Sequence, residues 1–135
     1  MVPALTSNLK QLILEALGIQ PGIELAIVFG SIAVGGEQSE SYLDLALDAG
    51  HALSAEEKVT LISELAARIG RPVDLVDLQT VGEPLLGQIL KHGSRILGSN
   101  ASYAGVLRRH LFNSADFLPY RQRILRERRQ AWIGK

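Results

Sequence analysis

Cysteine is absent from the 135-residue chain, which excludes a disulfide framework, a cysteine-ligated zinc site and thiol catalysis. Long apolar runs are absent as well, since no stretch approaches the roughly 18 residues that a membrane span needs. The N-terminus lacks a basic stretch followed by an apolar one, so no secretory signal is expected and the expected location is cytoplasmic. The histidines His51, His92 and His110 have no ligand spacing such as His-x-x-x-His. They read as surface or hydrogen-bonded side chains. There is no internal repeat, no low-complexity tract and no clear domain boundary.

What is present is an ordinary globular composition, 47% hydrophobic and 21% charged, in a chain long enough for one compact domain with a core of its own. The formal net charge of +0 hides an asymmetry. Residues 1–100 hold 6 Lys/Arg against 12 Asp/Glu, and residues 101–135 hold 8 against 2. An acidic body with a basic tail suggests two faces with different partners. The division expected is therefore a core over residues 1–100 and a C-terminal helical extension over 101–135, within one structural domain.

Periodicity supplies the elements. Leu5, Leu9, Leu12, Ile13 and Leu17 recur at helical spacing before Gly18. Residues 23–29 (IELAIVF) read as a buried strand that stops at Gly30-Ser31. Residues 42–48 alternate, with Leu43, Leu45 and Leu47 toward the core and Tyr42, Asp44, Ala46 and Asp48 outward. Ser54 to Glu57 has capping-box form and opens a helix to about Ile69, stopped by Gly70. Residues 73–78 are a third strand, 84–92 a short helix, and Arg95-Ile96-Leu97 a short edge strand. The remainder from Ala101 reads as helical with a break near Pro119. This order indicates a mixed α/β or α+β domain.

The stretch from Gly30 to Asp44 carries the chemistry. A strand that ends in Gly-Ser and turns into a helix presents free backbone N–H groups, and glycine lets a phosphate come close. Ser31 adds a hydroxyl donor. The next strand brings Asp44 beside that loop and the third strand brings Asp74. Carboxylates near a phosphate cradle suit Mg²⁺, which bridges them to nucleotide phosphates. Asp74 and Asp77 face opposite ways because a strand has a period of two. The pattern alone leaves the choice between them open.

Gly30-Ser31, ten residues, then Tyr42-Leu43-Asp44, with Arg71 to Leu78 downstream, resembles the nucleotidyltransferases of the DNA polymerase β type. The likeness is to the minimal nucleotidyltransferase (MNT) group, whose motif is Gly-Ser, ten residues, Asp-x-Asp, and it covers about residues 10–97. It implies a small mixed β-sheet with helices on one face and a C-terminal helical extension. It also implies ATP as substrate and Mg²⁺ as cofactor. Gly30, Ser31 and Ser41 would bind the nucleotide, and Asp44 and Asp74 would hold metal and serve catalysis. Of the two aspartates in the third strand, the resemblance implies Asp74 at the site, with Asp77 solvated near the strand end. The group is typically paired with HEPN-domain RNase toxins. The resemblance therefore implies an antitoxin that transfers AMP to a tyrosine of its toxin (AMPylation).

The chain departs from the group at one position, where Tyr42 stands in place of the first aspartate. A phenol has a pKa near ~10, stays neutral at pH 7 and is a poor Mg²⁺ ligand. Phosphoryl transfer is catalysed by position and electrostatics, so the missing charge bears on activity directly. Glu37, Glu40 and Asp48 are the carboxylates that could make it up. The alternative is a pseudoenzyme, a binding module that neutralises its partner by occlusion. A third class, modification of small molecules as in antibiotic nucleotidyltransferases, usually needs a longer chain with a further substrate-binding domain.

The C-terminal stretch from Tyr120 to Ile133 mixes Arg121, Arg123, Arg126, Arg128 and Arg129 with an apolar side of Ile124, Leu125, Ala131 and Trp132. Such a mixture suits an acidic partner surface, and the resemblance makes that partner the toxin. A helix packed on its own body with snorkelling guanidinium groups fits the pattern equally. Nucleic acid is not expected, because no aromatic interleaving or binding motif accompanies the arginines. Self-association stays open.

Overall fold

A computed structural model describes residues 7–30 and 42–114. Helix α1 (Ser7–Gly18) buries Leu9, Ile13, Ala16 and Leu17, the stripe that a period of 3.6 places on one side. Strand β1 (Leu25–Phe29) is buried on both faces along most of its length, which suits its central place. Strand β2 (Leu43–Asp48) follows. Helix α2 (Ala55–Ile69) then crosses over to β3 (Val73–Asp77). The expected capping box is present. The Ser54 side chain accepts from the Glu57 N–H, the Glu57 side chain accepts from the Ser54 N–H, and Gly70 closes the helix at φ 84°. Helix α3 (Leu85–His92) leads into the edge strand β4 (Ser94–Gly98), and helix α4 occupies residues 100–114.

The sheet order is β3-β2-β1-β4. β1 lies antiparallel to β2 and β4, while β2 and β3 run parallel, as a helical crossover requires. The mixed α/β sheet is the one expected from the sequence, but helices cover both of its faces rather than one, because both faces of β1 are apolar. One face carries Ala26, Val28, Leu43, Leu45 and Leu47 under α1 and α2, with Leu65 and Ile69 among the contacts. The other face carries Leu25, Ile27 and Ala46 under Leu86 and Ile89 of α3 and Val106 of α4.

That second layer corrects one expectation. Alternation assigns Ala46 to the outward face with Asp44 and Asp48, yet Ala46 is fully buried. A small residue in the middle of an acidic row leaves room for α3 and α4 to close over the sheet. The C-terminal stretch from Tyr120 to Ile133 lies outside the described residues.

Candidate functional site

Strand pairing assembles the site. β1 and β2 are antiparallel, so the end of β1 lies beside the start of β2, with Phe29 opposite Asp44. β2 and β3 are parallel, so the start of β3 arrives at the same place, with Asp44 opposite Asp74. Paired residues share a sheet face. Phe29, Asp44 and Asp74 therefore form a row across one end of the sheet.

Gly30 closes the row from the other side. Its φ of 78° is left-handed, where a side chain is strained. A Cβ there would collide with Oδ2 of Asp44 and stand 2.9 Å from its Cγ. Glycine at this turn thus lets the Asp44 carboxylate lie directly against the backbone. The sequence assigns Gly30 to phosphate approach, and the structure adds this seat for Asp44. Ser31, Ser41, Glu37 and Glu40 lie outside the described residues.

The electrostatics follow from this packing. Asp44 is half-buried and Asp74 is exposed. The Asp44 carboxyl is held above its ordinary range, first by burial, then by the charge of Asp74 and a hydrogen bond between the two carboxyl groups. Two abutting carboxylates leave negative charge uncompensated, and a cation relieves it. Mg²⁺ commonly takes one or two protein carboxylates and completes its shell with phosphates and water. Asp44 and Asp74 fit one such ion. Among the described residues no group of three or more His, Asp or Glu side chains is placed to hold a metal.

Tyr42 precedes β2 and is 62% exposed. Asp48 does not substitute for the missing aspartate. It lies at the far end of β2, opposite Leu25, and accepts from the Gly50 N–H and the Gln79 side chain.

Asp77 corrects a second expectation. It is 3% exposed rather than solvated. Its Oδ2 accepts from the Leu53 N–H at 2.7 Å and its Oδ1 from the Gln79 N–H at 2.9 Å. The histidines behave as expected where partners are described. His51 pairs with Glu57 at 3.0 Å and His110 with Glu83 at 2.8 Å.

A cleft of ≈ 900 Å³ between α3 and α4 is not foreseen from the sequence. Glu83, Gly87, Lys91, His92 and His110 are among its lining residues, and Gly30, Asp44 and Asp74 are not. The seat of His110 against Gly87 depends on two helices meeting, which no local pattern announces.

Comparison with known proteins bears on this geometry. Residues 11–102 match the family model described as Polymerase beta, Nucleotidyltransferase. Over 79 residues the chain is 30% identical to the protein adenylyltransferase MntA of Shewanella oneidensis, a match spanning 58% of this chain and 57% of that relative's length. Among solved structures, a toxin-antitoxin with AMP-PNP superposes at a TM-score of 0.74 and 24% identity, covering 87% of this chain and 96% of the other. A complex of a tri-AMPylated Shewanella oneidensis HEPN toxin with an MNT antitoxin superposes at 0.69 and 23% identity, covering 89% and 95%. At these identities the superpositions show the shared fold.

Proposed function

The chain belongs to the polymerase beta nucleotidyltransferase family, and we propose that it is an MNT-type antitoxin that binds a HEPN RNase toxin and transfers AMP from ATP to a toxin tyrosine. The observation that carries this reading is the pairing of Asp44 with Asp74 against Gly30 at the end of a nucleotidyltransferase sheet. Its support from outside the chain is the likeness to a protein adenylyltransferase.

In this reading Gly30, Ser31 and Ser41 bind the nucleotide phosphates, and Asp44 with Asp74 would hold Mg²⁺. The ion would supply positive charge against the phosphate oxygens, where charge shifts during transfer. Asp74 is the more exposed of the two carboxylates and lies in the same row as Asp44. It receives the proton of the incoming phenol. The basic C-terminal stretch contacts the toxin.

A second reading is favoured by Tyr42. A phenol in place of the first aspartate leaves the chain one carboxylate short of the family pattern, and a chain so altered neutralises its partner by occlusion alone. One experiment separates the two. The HEPN-type partner is incubated with this chain, ATP and Mg²⁺, and its intact mass is recorded, with Asp44→Ala and Tyr42→Asp in parallel. The expected result is a gain of one or more AMP units with the natural chain, lost in Asp44→Ala. Gain only with Tyr42→Asp marks a silenced enzyme. No gain in any form, with a stable complex, leaves occlusion.

A further inference from the structure

Tyr42 has no task in the scheme above, yet its position suits a reactant. It stands one residue before β2, and the backbone there is tied down: the Leu43 N–H donates to the Pro72 carbonyl at 2.8 Å, just ahead of the Leu43–Val73 pair. The alternation of β2 carried back one step puts Tyr42 on the face of Asp44, ~7 Å along the strand. A tyrosine side chain is long enough to lean back over that interval. Its 62% exposure leaves the phenol free to do so.

The chemistry matches the position. A neutral phenol is a poor metal ligand but an adequate acceptor once a neighbouring carboxylate takes its proton. Here Asp44 and Asp74 form the row immediately beyond it. A nucleophile fixed in the same chain also has a large effective concentration over one delivered by a partner.

We propose that Tyr42 is itself an acceptor, so that the chain transfers AMP from ATP to its own phenol in cis. The proposal rests on the reading of the site as an ATP-dependent adenylyltransferase. The Oη of Tyr42 forms a bond to the α-phosphorus of ATP. The bond from that phosphorus to the bridging oxygen of the β-phosphate breaks, and pyrophosphate leaves with the electron pair. The phenolic proton passes to the Asp74 carboxylate. The product carries one AMP on a single acceptor, so self-transfer stops at one AMP per chain.

The test is intact-mass and peptide-mapping spectrometry of the full chain after incubation with ATP and Mg²⁺, without partner. Mg·ATP binding and labelling of the HEPN-type partner are measured separately. The expected result is a single AMP adduct on the peptide holding Tyr42, formed with a rate constant that does not change over a tenfold range of chain concentration. Tyr42→Phe, which keeps the ring at an exposed position, abolishes the adduct, and so does Asp44→Asn. A chain that binds Mg·ATP and labels its partner but never itself overturns the assignment of Tyr42 and leaves the adenylyltransferase reading intact. A chain that binds no Mg·ATP overturns both. An adduct undiminished in Tyr42→Phe places the acceptor elsewhere and overturns the proposal.

Discussion

At the scale of single residues, Asp44 is the group on which site and stability meet. Burial and the Asp74 charge raise its folded pKa above the ordinary 3.8. Between that value and the raised one, the folded chain holds more proton than the unfolded chain. Stability therefore falls as pH rises through this window, and the loss persists at neutral pH. Asp44→Asn removes the loss. Without divalent cation, the variant is expected to melt at a higher temperature than the natural chain at pH 7, and the gain is expected to vanish well below pH 3.8, where Asp44 is protonated in both states. Added Mg²⁺ is expected to raise the melting temperature of the natural chain and not that of the variant. Thermal melts at several pH values, with and without Mg²⁺, check all three statements. Equal melting temperatures at pH 7 would mean that neither burial nor Asp74 penalises the charged form of Asp44. Asp44 was legible from the leucine alternation of β2, but Asp74 only from the resemblance, because Val73, Leu75 and Val76 leave apolar residues on both faces of β3. The seat of Asp44 against Gly30 was not, since it depends on a left-handed turn that a Gly-Ser pair does not specify.

At the scale of elements, Asp77 shows how a polar residue at a strand end can hold two segments together. It closes β3 and accepts one N–H from the 49–54 connection and one from Gln79 just past the strand. Asp77→Ala leaves both donors without their acceptor in a part-buried setting. The expected cost is ~2–6 kcal/mol, at about 1–3 kcal/mol for each of the two groups left unsatisfied. Urea denaturation measures it. Asp77 lies three residues beyond Asp74 on the opposite sheet face, so Mg·ATP binding by the folded variant is expected to be unchanged. A cost under ~0.5 kcal/mol would mean that water replaces the carboxylate without loss. The strand itself was legible from Val73, Leu75 and Val76. The burial of Asp77 was not, because it is produced by a connection 24 residues away in sequence. Capping was legible where it is purely local, at Ser54 and Glu57, since four consecutive residues contain all of its geometry.

At the scale of the whole molecule, the sheet separates two cores, and only one was fully legible. The leucines of β2 announce the core under α1 and α2 by their alternation. The core under α3 and α4 is hinted at only by the continuous apolar run of β1, with Leu25 and Ile27 on this face, since the row of Ala46 reads as solvent-facing. This second layer shares a sheet face with Asp44, so its packing sets how firmly the carboxylate row is held. Ala46 is paired with Ile27, fully buried, and the smallest side chain in that contact. Ala46→Leu adds volume where α3 and α4 rest on the sheet. The expected destabilisation is about 1–3 kcal/mol, the usual range for overpacking. If helices and sheet move together as one unit, Asp44 shifts with them and Mg·ATP binding weakens in the folded variant. Calorimetric melts give the first quantity and nucleotide titration at a temperature well below the melt gives the second. A variant as stable as the natural chain would mean that the second layer is loose enough to absorb a larger side chain. One that is destabilised with unchanged binding would place the rigidity of the site in β1, β2 and β3 alone, held from the opposite face by α1 and α2.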